Sequence, residues 1–162
     1  MTQNKFFRDK SLNFESFCKK YIEYLNQVLQ KLDKKKIEEL EKILEIARKK
    51  KQTIFIAGNG GAAATSITMA NDLGFDILKK TKIKKTFKIQ SLNDNPSVIT
   101  AIANDTGYEN IFLNQLKIHY NHGDLLIVLS ASGNSLNLIK ASEWVKKNGG
   151  KTIGILGFDG GK

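Results

Sequence analysis

Ile54-Phe55-Ile56-Ala57-Gly58-Asn59-Gly60-Gly61-Ala62-Ala63-Ala64-Thr65 joins an apolar run to a small-residue loop, and then to a helix-like segment that reaches Asp72. Parallel α/β sheets bind ligands at strand-to-helix turns of this kind. Glycine lets the backbone approach a ligand, and a helix start offers free N–H groups with a partial positive charge. A second junction of the same build lies downstream, where Leu125-Leu126-Ile127-Val128-Leu129 runs into Ser130-Ala131-Ser132-Gly133-Asn134-Ser135. Two such loops in one small domain point to a ligand with an anionic group, phosphate foremost.

Around these loops the chain alternates. Strands are expected at Thr53 to Ala57, Thr86 to Leu92, Leu125 to Leu129 and Lys151 to Leu156. Helices are expected between them: Ala62 to Leu73, closed by Gly74; Pro96 to Ala103, followed by a turn at Asn104 to Gly107; Glu109 to His119; and Ser135 to Lys147. Strand–helix alternation argues for a parallel sheet with helices on both faces. The strands are continuous apolar runs, which fits burial on both sides. The expected fold is a three-layer, doubly wound α/β sheet of the flavodoxin-like kind.

Two amphipathic helices precede the sheet. Ser11 to Leu32 repeats apolar residues at three- and four-residue steps, with Ser11 or Asn13 as cap and Cys18 in the core. Lys35 to Lys50 puts Ile37, Leu40, Leu44 and Ala47 on one face. The broad apolar stripe of the first helix predicts a partner subunit. The chain is expected to form one domain over residues 1–162, with helices to residue 50 and the sheet region from residue 51.

Bulk properties narrow the function. The chain has 162 residues, 41% of them hydrophobic, which is enough for a core. Its single cysteine excludes an intrachain disulfide. Its net charge of +10 raises nucleic-acid binding, but the lysines are scattered and no aromatics are interleaved with base-reading groups. The run Lys79-Lys80-Thr81-Lys82-Ile83-Lys84-Lys85 reads as a solvated loop. No secretory signal opens the sequence and no apolar run approaches the ~20 residues of a membrane span. A cytoplasmic protein with no membrane or nucleic-acid partner is expected.

Gly58-Asn59-Gly60-Gly61 matches neither the dinucleotide fingerprint nor the P-loop, and no lysine follows it closely. The serine loop is more informative. Three hydroxyls and a run of backbone N–H groups at a helix start can cradle a phosphate without a cation. The competing reading makes Ser135 a helix cap and the other serines turn residues.

Taken together, the two leading helices, Ala-Gly-Asn-Gly-Gly, Ala-Asn-Asp-Leu, Thr-Ala-Ile-Ala-Asn-Asp-Thr-Gly-Tyr, Ser-Ala-Ser-Gly-Asn-Ser and Gly-Phe-Asp-Gly-Gly-Lys resemble one family in order and spacing. It is the sugar isomerase (SIS) domain, in its phosphoheptose isomerase branch. That family converts sedoheptulose 7-phosphate to a heptose 7-phosphate for surface polysaccharide, and its members are tetramers. The resemblance implies phosphate contacts from Ser130, Ala131, Ser132 and Ser135. It implies sugar contacts from Asn59, Gly60, Gly61, Asp94 and Asn95. Asp72 takes the place of the family's carboxylate base or metal ligand. Aldose–ketose isomerisation through an enediol needs such a base, an acid or metal for the oxyanion, and a fixed sugar.

The sequence also departs from the family. Ala62 stands where a serine is usual. Thr68 stands one helical turn before Asp72, where many members carry a zinc-binding histidine, so no metal or other cofactor is expected. The base is aspartate rather than glutamate. The family's last strand and long helix, which bring a glutamine and a histidine, have no counterpart up to Lys162. His119 and His122 are expected to be surface or packing residues. The retained loops therefore imply sugar-phosphate binding. The lost histidines set an isomerase against a binding module without catalysis.

Overall fold

The computed structural model describes residue 7 and residues 9–161. It divides into two compact units, one up to Glu41 and one from Lys42.

In the first unit, helix α1 spans Phe14–Gln30. Asn13 caps it, accepting from Ser16 N–H at 2.9 Å, while Ser11 folds back onto Asp9. The ring of Phe7 meets Tyr24 edge-on at 5.7 Å. No residue of α1 is fully buried. Cys18, expected in the core, is only half-buried. Phe14, Ile22, Leu29 and Leu32 leave half or more of their surface open. Helix α2, Lys34–Lys50, runs across the division.

The second unit is built on a four-stranded sheet. Its strands are β1 Thr53–Gly58, β2 Lys88–Ser91, β3 Leu125–Ser130 and β4 Lys151–Leu156. The order is β2-β1-β3-β4 and every pairing is parallel. Alternation along β1 explains the layers. Phe55 and Ala57 pack on one face with Leu126, Val128, Phe112, Leu116, Leu138 and Val145. Ile54 and Ile56 pack on the other with Ile127, Leu129, Ala47, Met69 and Ile89. The first face is covered by α6 (Ile111–His119) and α7 (Leu136–Lys147), with α5 (Pro96–Thr106) beside them. The second is covered by α3 (Gly61–Asn71) and the C-terminal half of α2. Burial on both sides accounts for the unbroken apolar runs of β1 and β3. The edge strands depart from the expected burial: β2 is only partly covered and β4 leaves Ile155 and Leu156 exposed. The expected three-layer parallel fold is the one observed. Asp124 is buried; it accepts from Thr53 N–H at 2.7 Å and from Asn121 N–H at 2.8 Å, which pins the start of β1 to the turn before β3.

Several boundaries differ from expectation. Gly74 does not end α3. The helix passes into a π turn at Asp72–Asp76, where Ile77 N–H reaches Asp72 O, and continues as α4, Ile77–Lys80. Position 74 lies close to β2: a Cβ there would lie 3.2 Å from Ile89 Cγ2, a tight contact that glycine avoids. Lys79 and Lys80 are consequently helical, and Lys80 pairs with Asp76 at 2.8 Å. Strand β2 is shorter than the expected Thr86 to Leu92, and α5 runs on to Thr106 through the expected turn, ending at Gly107 with φ 96°. A single 3-10 turn, Tyr108–Asn110, links it to α6.

Candidate functional site

The chain leaves β1 towards β2 and leaves β3 towards β4, in opposite directions across the sheet. A crevice opens at such a reversal, outside the carboxyl ends of the two central strands. Both loops singled out in the sequence lie there. Gly58 pairs with Leu129, so the Asn59 and Ala131 loops emerge side by side.

The first loop is shaped by residues distant in sequence. Asn93, just after β2, accepts from Gly58 N–H at 3.1 Å and donates to Gly58 O at 3.0 Å. Its amide thus replaces a strand partner where the ladder ends. Ser66 Oγ lies 2.8 Å from Asn93 Oδ1 and 2.9 Å from Ser91 Oγ, and the network is buried or partly buried. A Cβ on Gly58 would meet the Ala62 backbone at 2.7 Å, so glycine is what allows α3 to start so close to β1. Asn59 forms a head-to-tail amide pair with Asn137 of α7. Asn59 Nδ2 donates at 3.0 Å and Asn137 Nδ2 returns a bond at 2.9 Å. Tyr108 Oη adds a third bond, donating to Asn59 Oδ1 at 3.0 Å. Asn137 is 3% exposed, so the pair is sheltered from water on that side. Gly60 and Gly61 are exposed, with open space above each Cα.

The second loop shapes itself. Ser130 Oγ accepts from Gly133 N–H at 3.0 Å, and Ser132 Oγ accepts from Asn134 N–H at 3.2 Å. Each serine keeps its O–H proton for a ligand. Ser135 occupies the N-cap position of α7, yet its hydroxyl makes no capping bond. That leaves the cap reading without its hydrogen bond and the hydroxyl uncommitted. Ala131 is exposed at the rim.

The remaining expected residues are more dispersed. Asp94 and Asn95 are exposed at the carboxyl end of β2, and Asn95 Oδ1 caps α5 by accepting from Val98 N–H at 3.2 Å. Asp72 is exposed at the far end of α3, about 16 Å of helix rise from Gly61. Its neighbour Gly74 lies against Ile89, which pairs with Ile54 near the start of β1. Within one chain the structure therefore gathers the two loops but does not bring Asp72 to them. His119 and His122 are exposed.

A zinc ion does not fit the Thr68–Asp72 pair. The Thr68 hydroxyl donates to Ala64 O at 3.1 Å, and no three His, Cys, Asp or Glu side chains converge among the described residues. A recess of about 460 Å³ lies between Ile43 and Ser142 along β4, away from the crevice.

Reading the sequence missed Asn93, Ser66, Ser91, Asn137 and Tyr108. The signals were faint: an asparagine directly after a strand, another in the first turn of a helix, and the tyrosine of the Thr-Gly-Tyr motif.

Residues 16–157 match the SIS domain, and the chain belongs to that family. Its relatives give the branch. A phosphoheptose isomerase of Clostridium acetobutylicum is 38% identical over 151 residues, 91% of this chain and 74% of that protein. One from Helicobacter pylori strain P12 is 38% identical over 89% of this chain and 69% of its own length. With the Nitratiruptor phosphoheptose isomerase, 40% identical over 116 residues, the match spans 60% of the relative's length. The solved phosphoheptose isomerase of Neisseria gonorrhoeae superposes with a TM-score of 0.73 at 27% identity, covering 86% of this chain and 71% of that one. The chain is thus a SIS-domain protein resembling phosphoheptose isomerase. No helix among the described residues is long and apolar enough to cross a membrane.

Proposed function

We propose that the crevice between β1 and β3 binds a sugar phosphate, and that the chain is an aldose–ketose isomerase acting on sedoheptulose 7-phosphate. The observation that carries this is the juxtaposition of the two loops across the reversal point, tied by the Asn59–Asn137 pair. In this reading Ser130, Ser132, Ser135 and the N–H groups that open α7 hold the phosphate, with Ala131 at the rim. Asn59, Gly60, Gly61, Asp94 and Asn95 face the sugar. The phosphate anchors the end that does not react, so its binding energy positions the end that does.

Asp72 is the proposed base, taking the proton from the carbon beside the carbonyl to give the enediol. Its distance from the loops on its own chain supports an active site completed by a second copy. The exposed apolar residues of α1 supply a surface for such association, and a tetramer is the proposed state. No step is routed through a metal. A cytoplasmic location and a role in making surface polysaccharide complete the proposal.

A second reading is a binding module with little catalysis. Thr68 favours it, because its hydroxyl is spent on the helix backbone.

Calorimetric titration with sedoheptulose 7-phosphate, beside a single-turnover isomerase assay, tests both. Binding is expected, with Ser132→Ala weakening it about tenfold while the melting temperature holds. Asp72→Asn is expected to leave phosphate affinity unchanged and to abolish turnover. Absence of binding by the parent protein would sink the proposal. Binding without turnover would select the second reading.

A further inference from the structure

The Asn59 amide is not free to choose its orientation. Leu138 N–H, shared with Ser135 O at 3.0 Å, lies 2.9 Å from one end of the Asn137 amide, and an N–H can only donate, so a second donor at that end would repel it. That end must be Oδ1. Asn137 Oδ1 also receives Asn59 Nδ2, so Asn137 Nδ2 must be the group that meets Asn59 Oδ1. Tyr108 Oη donates to the same oxygen. A backbone N–H of α7 thus fixes the polarity of a relay that ends on the other loop.

The donor count has a chemical consequence. Asn59 Oδ1 has two lone pairs, and both are taken. Asn59 Nδ2 has two protons, and one is given to Asn137. One N–H remains. We infer that Asn137 and Tyr108 are positioning residues that turn Asn59 into a donor-only contact, so that it recognises an acceptor oxygen of the sugar and disfavours a donor in that place. This rests on the sugar-phosphate reading above and deepens it. Asn137 is buried and Tyr108 is bonded through its hydroxyl, so neither needs to touch the ligand for the effect.

The test has two arms, both on the full chain. In the ligand-free protein, side-chain amide protons of Asn59 and Asn137 are followed by NMR hydrogen exchange. Slow exchange of one proton on each amide is expected, with the Asn59 proton released in Asn137→Ala. Fast exchange of both in the parent protein overturns the inference, whatever the ligand. The second arm titrates sedoheptulose 7-phosphate and inorganic phosphate. Asn137→Ala should weaken the sugar phosphate about tenfold, and Tyr108→Phe about threefold, with inorganic phosphate unchanged within about twofold. An equal loss for both ligands overturns the inference, because it marks a general disturbance of the serine loop. No loss for either overturns it too. If Asn137→Ala fails to fold, Tyr108→Phe carries the same comparison at the exposed end of the relay. If the parent protein shows the slow amides but binds no sugar phosphate, the donor role towards sugar fails together with the proposed function, and the fixed Asn59–Asn137 pair stands alone.

Discussion

The two strand-to-helix loops of the crevice look alike in sequence and are held in opposite ways. The serine loop carries its own scaffold: Ser130 bonds Gly133, Ser132 bonds Asn134, and each bond closes within three residues. The glycine loop closes on itself only through backbone bonds into the start of α3, Ala62 N–H to Asn59 O at 3.1 Å and Ala63 N–H to Gly60 O at 3.0 Å, with no local side-chain brace. Its shape comes from Asn93, 35 residues on from Gly58, and from Asn137, 78 residues on from Asn59. A self-bonded loop is formed as soon as its few residues meet. A loop braced from elsewhere exists only when the whole sheet is assembled. The comparison teaches that damage to one should stay local, while damage to the other should be felt as lost stability.

Mutation can break this contrast or sharpen it. The largest effect is expected at Asn93. Asn93→Ala strands both backbone groups of Gly58, while the Ser66 hydroxyl keeps Ala63 O and Ser91 Oγ, and should cost about 3 kcal/mol in urea unfolding, since each unpaired buried polar group costs ~1–3 kcal/mol. A loss under about 1 kcal/mol would show that the glycine loop does not depend on its brace. Ser130→Ala comes next. It removes one bond to Gly133 N–H and should cost about 1 kcal/mol, an ordinary hydrogen bond. A cost equal to that of Asn93→Ala would erase the contrast.

The smallest effect is a pH dependence. Glu109 stands beside Tyr108 in the 3-10 turn and faces Lys140 of α7 at 3.5 Å, so it links the same two regions. Its own backbone N–H, and then the Lys140 charge, hold its carboxyl below the ordinary 4.5. A carboxyl whose folded pKa is lowered contributes stability above its unfolded value, and that contribution disappears as pH falls through the folded value. Stability should therefore decline below pH 4.5, and Glu109→Gln should flatten that limb of a melting-temperature profile. An unchanged profile in the variant would remove Glu109 from the set of tethers.

The same contrast sets what could be read in the sequence. The strands were legible because burial on both faces leaves unbroken apolar runs, as in Ile54 to Ala57 and Leu125 to Leu129. The serine loop was legible because its hydroxyls and its glycine sit together. Asn93 and Asn137 were not, since an asparagine beside a helix start reads as local polar decoration and its partner lies a sheet away. The path after Asn71 was misread for a related reason. Glycine after a helical run signals a stop, but at Gly74 the deciding neighbour is Ile89 of β2, which local pattern does not reveal.

The π turn at Asp72–Asp76 acts as a phase shifter. One extra residue in a turn delays everything after it by about 100° of rotation about the helix axis. Without the delay, Ile77 and Leu78 would exchange directions with their neighbours, and the side of the helix that carries Asp76 and Lys80 would swing away from where it now lies. The chain thus sets the azimuth of two successive helical segments independently. The joint between the two settings begins at Asp72, so the proposed base keeps the direction that α3 gives it, while Asp76 and Lys80 beyond the turn take the second setting.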